Sequence, residues 1–374
     1  MFFKKKSSYY KPHPYRLYQS REHSPFPYPT NSIGLLGTRE YDIDNKAGKV
    51  RILVLGGSTV EELAFLSNPE NKNPNAHWHK ILEDILNASN NRSDHSFEVM
   101  AIASAGYTSY ECLISYITQG RFLMPDIVLS YQGVNDVIWS FMAEGFKPDY
   151  SHVRDNQFPR LKSDSNSRTS ANSRHSSILS RVLSRLNNQI HTTKTFQSNW
   201  FSQISTNSLR ILNAVMVKLK LSRPFGLIYA ISVDPYPQAS MTYEEKRVDI
   251  YIENMRMLDQ LCSLYDAKLI NLTFQSRDDC FLSRLLHKNL SESEKKTAST
   301  FYSKYISSLN SSMCSSDLTT YKIPESAFKE SDFRDSMHFS ESGQEKIAHF
   351  SAKAIQAMYK KIPLLLDIRT DDYA

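Results

Sequence analysis

The sequence predicts an α/β fold built around a parallel sheet, and three observations carry that prediction. Strand-like and helix-like segments alternate from Arg51 to about Phe141, the pattern of strands joined by helical crossovers. The segments Arg51-Ile-Leu-Val-Leu55, Phe97-Glu-Val-Met-Ala-Ile102 and Asp126-Ile-Val-Leu-Ser-Tyr131 are short and largely apolar, as strands are. Each is followed at once by a turn that combines glycine with hydroxyl or amide side chains. Such turns lie at the carboxyl ends of strands, where open α/β sheets place their sites, and three of them on one edge can converge on one cleft.

Taken in order, residues 1–50 are rich in Tyr, Pro, Lys and Ser, include His23-Ser-Pro-Phe-Pro-Tyr-Pro29, and read as an extended arm laid over the core. The first strand then runs into Gly56-Gly57-Ser58-Thr59. Two glycines let the backbone turn sharply, and a serine at that turn is a helix N-cap, part of a phosphate loop, or a nucleophile. The second strand leads to Ser104-Ala-Gly106-Tyr-Thr-Ser109 and the third to Gln132-Gly133-Val134-Asn135-Asp136. Between Gly145 and about Leu221 the alternation stops. Lys162 to Ser177 is crowded with Ser, Asn and Arg, like a linker, while Ile204 to Leu221 reads as a helix with Leu209, Leu212, Val215 and Leu219 near one face. This stretch, about 145–221, is expected to be an insertion or lid, with a solvated spacer as the plain alternative. The sheet resumes at Phe225-Gly-Leu-Ile-Tyr-Ala-Ile-Ser-Val233, followed by a helix over Tyr243 to Tyr265 and a strand over Ala267 to Leu272. Near the C-terminus stand Asp335-Ser-Met-His338, then Phe-Ser-Glu-Ser-Gly343, then an amphipathic helix carrying Ile347, Phe350, Ala354 and Met358.

These residue types suit acyl chemistry. A serine hydroxyl is a poor nucleophile until a base within hydrogen-bond reach takes its proton. Neutral imidazole does so near physiological pH and later returns the proton to the leaving group, which suits His338. A carboxylate three residues earlier on a turn can fold back to hold the ring in the right tautomer, which suits Asp335. Alone, Asp335 reads as a turn former and His338 as a satisfied histidine; beside the other blocks they read as acid and base.

Together the Ser block, the Gly block, the Gly-x-Asn-Asp block and the terminal Asp-x-x-His block resemble the GDSL-like, or SGNH, hydrolase family, over a span from about Arg51 to His338. The resemblance implies a three-layer α/β/α sandwich with a five-stranded parallel sheet in flavodoxin-like order. It implies a triad of Ser58, His338 and Asp335. It assigns the oxyanion donors to the backbone N–H of Ser58, the backbone N–H of Gly106 and the side-chain amide of Asn135; glycine allows close approach and the amide donates without a charge. Gly57 stands where the eponymous motif has aspartate, although glycine-glycine-serine variants are familiar among bacterial relatives. Asn31-Ser-Ile-Gly-Leu-Leu-Gly37 looks like the leader before the Ser block in some polysaccharide-locus relatives. The implied activity is ester hydrolysis through an acyl-enzyme, with an O-acetyl group on a carbohydrate as the expected substrate class. The same triad serves acyl transfer to a sugar hydroxyl. A non-catalytic carbohydrate-binding or assembly protein on the same fold is the reading from another class, and the intact set Ser58, Asp335 and His338 counts against it.

Other polar residues have plainer readings. Asp332, six residues before His338, is a rival acid at a poor spacing; Asp136 caps or braces the following helix; Glu61 and Glu62 fall in a first helical turn and read as structural. His77-Trp78-His79 suggests a metal pair that no nearby Cys, Asp or His completes, so it reads as a solvent-facing segment. No cofactor and no metal is expected.

The 374 residues, 40% of them hydrophobic, can bury a full core and exceed what one three-layer domain requires. Cys112, Cys262, Cys280 and Cys314 lack Cys-x-x-Cys spacing, which reads as scattered reduced thiols. A net charge of +6 without a concentrated basic patch argues weakly for an anionic substrate and against nucleic acid. Met1-Phe-Phe-Lys-Lys-Lys6 is basic without the apolar core of a secretion signal, and no run approaches the roughly 20 apolar residues that span a bilayer. The expected location is cytoplasmic, with peripheral membrane contact through the basic end left open. The expected partner is a small-molecule or carbohydrate ester.

Overall fold

A computed structural model of the chain describes residues 10–11, 13, 15–16, 18–24, 29–46, 48–61, 77–89, 95–142, 150, 246–277 and 291–359. The chain divides into two units, Met1–Phe146 with Gln238–Ala374, and Lys147–Pro237; the first carries the sheet. The expected insertion at about 145–221 and the expected strand Phe225 to Val233 lie outside the described residues, apart from Tyr150.

In chain order the strands are β1 (Tyr10–Lys11), β2 (Gln19–Ser20), β3 (Lys49–Gly56), β4 (Ser96–Ala103), β5 (Ile127–Tyr131), β6 (Lys268–Leu272) and β7 (Thr320–Tyr321). The helices are α1 (Ser58–Glu61), α2 (Trp78–Ala88), α3 (Ser109–Thr118), α4 (Val134–Met142), α5 (Lys246–Leu264), α6 (Glu292–Ser315) and α7 (Glu341–Tyr359). Strands β4-β3-β5-β6-β7 form a five-stranded sheet, parallel throughout. That is the doubly wound order, with the switch point between β3 and β5. Helices α2 and α7 pack together on one side, while α3, α5 and α6 pack in succession on the other. The result is the α/β/α sandwich that the sequence predicts. Its fifth described strand, β7, has no expected counterpart, because two residues are too few for a periodic signal.

Burial explains why β3 and β5 read as unbroken apolar runs. Ile52, Leu53, Val54 and Leu55 of β3 and Val128 and Leu129 of β5 have no exposed surface, since helices cover both faces. Arg51 is the exception within β3, and its burial is satisfied. Its Nε donates to Glu98 of β4 at 2.9 Å, and its terminal nitrogens donate to the carbonyls of Asp42, Ile43, Asn45 and Leu123. A buried guanidinium persists only with such partners. The outer edge of β4 is covered from the N-terminal segment, where Leu36 N–H donates to the carbonyl of Ala101 at 3.1 Å and Leu35 and Leu36 are buried. Covering an edge in this way removes a template for unwanted pairing.

The carboxyl ends of the three central strands are level. Gly56 pairs with Ala103 of β4 on one side and with Tyr131 of β5 on the other, so the loops that carry Ser58, Gly106 and Asn135 leave the sheet from one row.

Candidate active site

Ser58 opens α1 directly after the Gly56-Gly57 turn, with the N–H groups of Val60 and Glu61 donating to the carbonyl of Gly57 at 3.0 and 3.1 Å. The identity of residue 57 has a steric cause. A Cβ there would meet the Asn135 side-chain nitrogen at 2.6 Å and the Tyr107 carbonyl at 3.2 Å. Glycine at this position lets the loops after β3, β4 and β5 close on one another, and an aspartate would not fit the same packing.

Asp335 and His338 lie on a loop between the 3₁₀ turn Glu330–Asp332 and α7. An antiparallel bridge between Phe333 and Phe339 closes the loop, the Arg334 N–H donates to the carbonyl of His338 at 2.8 Å, and Arg277 N–H donates to the carbonyl of Ser336 at 2.8 Å. Phe339 stacks on Tyr131 and Phe328 with ring centroids 5.9 and 5.0 Å apart, and Tyr131 stacks on Phe274 at 5.1 Å. Tyr131, Phe274 and Phe339 are buried, and burying a side chain of this kind contributes about 1.5–3 kcal/mol. The loop is therefore held by the core beside β5.

Within it, His338 Nδ1 lies 2.7 Å from Asp335 Oδ2 and His338 Nε2 lies 2.9 Å from Ser58 Oγ. Asp335 Oδ1 also accepts from the backbone N–H groups of Met337 and His338, each at 2.9 Å. Partial burial works to raise the Asp335 carboxyl, but the hydrogen bond and charge of His338, with those two backbone donors, outweigh it and hold the group at about 2. The acid is thus ionised near neutral pH. An ionised carboxylate only accepts, so Nδ1 carries the proton of the neutral ring, and Nε2 is left to accept from the Ser58 hydroxyl. That arrangement can remove a proton from Ser58.

Asn135 sits in the first turn of α4 and is buried, with its side-chain nitrogen donating one hydrogen to the carbonyl of Tyr107 at 2.8 Å. The second hydrogen of the same nitrogen points elsewhere by geometry. Gly106 takes φ +79°, in the left-handed region that suits glycine.

The remaining polar residues separate cleanly. Asp332 accepts from Lys346 Nζ at 2.6 Å, from Lys329 N–H at 2.7 Å and from the Ser342 hydroxyl at 2.9 Å, so it serves the start of α7 and not His338. Asp136 braces a neighbouring loop, accepting from the backbone N–H and hydroxyl of Ser109. Glu61 accepts from Ala105 N–H at 2.7 Å and from the Tyr10 hydroxyl at 2.8 Å. Glu62 lies outside the described residues. The solvent-facing reading of His77 and His79 is corrected: both are fully buried, with rings 4.9 Å apart. The segment between them is tied inward, because Trp78 N–H donates to Gln344 of α7 at 2.8 Å and its indole N–H to the carbonyl of Thr59 at 3.2 Å. Burial, with the charges of His77 and Lys80, holds His79 well below the usual imidazole range. Among the described residues no group of three or more His, Cys, Asp or Glu could hold a metal ion. Cys112, Cys262 and Cys314 are free thiols, and burial raises the first two above the usual thiol range. Among the described residues no helix is long and apolar enough to cross a membrane.

No protein-family model and no curated protein sequence matches the chain. In structure it is similar to a GDSL-like lipase from Bacteroides thetaiotaomicron, at 12% identity over 82% of this chain and 88% of that one, with a TM-score of 0.36. It is similar also to an acetyl xylan esterase, at 10% identity over 82% and 100%, TM-score 0.39, and to a lipase/acylhydrolase from Enterococcus faecalis, at 10% identity over 83% and 96%, TM-score 0.36. At such scores these likenesses carry no argument about activity, and the functional reading rests on the residues themselves.

Proposed function

We propose that this chain is a serine esterase of the SGNH type, working through Ser58, His338 and Asp335. The observation that carries the reading is the unbroken line of hydrogen bonds from Asp335 Oδ2 to His338 Nδ1 at 2.7 Å and from His338 Nε2 to Ser58 Oγ at 2.9 Å. Ser58 Oγ attacks the ester carbonyl carbon while its proton passes to His338 Nε2, and the Asp335 carboxylate stabilises the imidazolium. The tetrahedral oxyanion is met by the backbone N–H groups of Ser58 and Gly106 and by the second amide hydrogen of Asn135. Collapse breaks the ester C–O bond, and the leaving alcohol takes the proton from His338. Water then attacks the acyl-enzyme and gives its proton to His338; the second tetrahedral intermediate collapses with cleavage of the acyl C–Oγ bond, and the departing Ser58 oxygen takes that proton back, which releases the acid and restores the hydroxyl and the neutral imidazole.

The substrate is an ester, and an O-acetyl group on a carbohydrate is the preferred class. Its support is the likeness of the Asn31–Gly37 stretch to the leader before the Ser block in some polysaccharide-locus relatives, together with the polar, tyrosine-rich composition of 21 Tyr residues, which suits sugar contacts. In this reading the core domain spans residues 51–374, with residues 1–50 as its arm and an insertion at about 145–221.

The test compares wild type with Ser58→Ala on an aryl acetate and with a fluorophosphonate probe. Wild type should turn over ester and label once, and the variant should lose labelling and at least about 10³-fold in rate. Labelling retained at another serine would overturn the assignment. With acetylated oligosaccharides, free acetate should appear faster than new sugar ester; the reverse order would make the enzyme an acyltransferase.

A further inference from the structure

Three loops supply the oxyanion donors in the esterase reading, and two buried carboxylates tie those loops together. Glu61 stands three residues after Ser58 in α1 and is 1% exposed. Its carboxylate accepts from the N–H of Ala105, the residue before Gly106, at 2.7 Å, and from the Tyr10 hydroxyl of the N-terminal segment at 2.8 Å. Asp136 follows Asn135 in α4 and is 5% exposed. Its carboxylate accepts from Ser109 N–H at 3.0 Å and from the Ser109 hydroxyl at 2.6 Å. That hydroxyl accepts in turn from Asn254 of α5 at 2.9 Å. The turn 105–109 is thus held at both ends, each time by a carboxylate from a helix whose own first turn carries another donor.

We propose that Glu61 and Asp136 are positioning residues of the oxyanion hole, Glu61 fixing the Gly106 turn against Ser58 and Asp136 fixing it against Asn135; the inference rests on the esterase reading above. Gly106 has no side chain with which to anchor itself and sits at φ +79°, so its N–H direction is set by the residues on either side. Oxyanion donors act only within about 2.7–3.1 Å of the developing charge, and a misplacement of about 1 Å costs about 10²-fold in rate. Hydrogen bonds to an ionised acceptor are shorter and about twice as strong as neutral ones. Carboxylates therefore hold this turn more tightly than amides would.

The isosteric variants Asp136→Asn and Glu61→Gln keep shape and remove the charge. Each should lower kcat on an aryl acetate by about 10- to 100-fold, with KM within about threefold and the pH profile unmoved, since Asp335 and His338 are untouched. In an Asn135→Ala background, Asp136→Asn should add less than about threefold, because Asn135 through the Tyr107 carbonyl and Asp136 through Ser109 tie the same turn to the start of α4. Folding is followed by circular dichroism. If Asp136→Asn fails to fold, Ser109→Ala decides, since it removes the hydroxyl bond and keeps the backbone one, and it should lower kcat by about three- to tenfold. Folded variants with wild-type kcat, or losses that multiply in full with Asn135→Ala, overturn the inference alone. A wild-type protein no faster than Ser58→Ala overturns the esterase reading and this inference with it.

Discussion

Replacing Asp335 by asparagine probes the line of hydrogen bonds at the atom that fixes its direction. The substitution keeps the size of the side chain, and its carbonyl oxygen can still accept from the N–H groups of Met337 and His338, each 2.9 Å away in the parent. The amide nitrogen then faces His338 Nδ1, where an ionised oxygen stood at 2.7 Å. An amide NH₂ donates, so Nδ1 becomes the acceptor and the ring proton moves to Nε2. Nε2–H next points at Ser58 Oγ, and the serine loses its base. A wrong tautomer with intact geometry costs about 10⁴-fold in a triad of this kind, so the expected fall in kcat is about 10³- to 10⁴-fold, or about 4–5 kcal/mol of barrier. Steady-state turnover of an aryl acetate measures it, with circular dichroism to establish folding. Asp332→Asn is the matched control. Its carboxylate serves Lys346, Lys329 and Ser342, so that change should lower stability and leave kcat within about threefold. A folded Asp335→Asn protein within tenfold of wild type, or a larger loss from Asp332→Asn, would refute the reasoning.

Asn135→Ala should fold and lose about 10²- to 10³-fold in kcat with little change in KM, as expected for one oxyanion donor; a loss confined to KM would make Asn135 a substrate-binding group. Gly57→Ala should cost about 1–3 kcal/mol of stability and reduce kcat, because its Cβ would meet the Asn135 nitrogen at 2.6 Å; a thermal melt and rate equal to wild type would contradict that packing. The Asp335 carboxyl is lowered from 3.8 to about 2 on folding, so it contributes stability that is fully present above about pH 4 and lost as pH falls towards 2. A carboxyl held this far below its ordinary value corresponds to about 2.4 kcal/mol. With the side chain 28% exposed, solvent screening reduces the expected figure to about 1–2 kcal/mol. Urea titrations of wild type and Asp335→Asn should therefore differ in stability by about two-thirds of that amount less at pH 2.5 than at pH 6, since pH 2.5 still lies above the folded value of about 2, and a constant difference would count against the ionised acid.

Much of the scaffold was legible in the sequence because its signals are local. Apolar strands covered on both faces show themselves as runs, and glycine-rich turns after them mark where Ser58, Gly106 and Asn135 leave the sheet. The pairing of Asp335 with His338 is local as well, since three residues on a turn bring the two side chains together. Their approach to Ser58 is not local. The His338 to Ser58 contact joins residues 280 apart in the chain, and the four blocks suggested it only by resemblance, while the β5 aromatics and the Phe333–Phe339 bridge bring it about.

Other features had no sequence signal. Strand β7 is two residues long, His77 and His79 read as exposed because their cover comes from other parts of the chain, and Glu61 and Asp136 looked like ordinary residues of a helix start. What they accept from is mainly backbone N–H and hydroxyl groups of another loop, and a backbone donor leaves no mark in a sequence. The residue types and the succession of strands and turns along the chain are therefore properties of the sequence, read through periodicity and turn chemistry. The distances that align acid, base, serine and donors belong to the tertiary structure, because only packing brings loops from different strands within hydrogen-bond range.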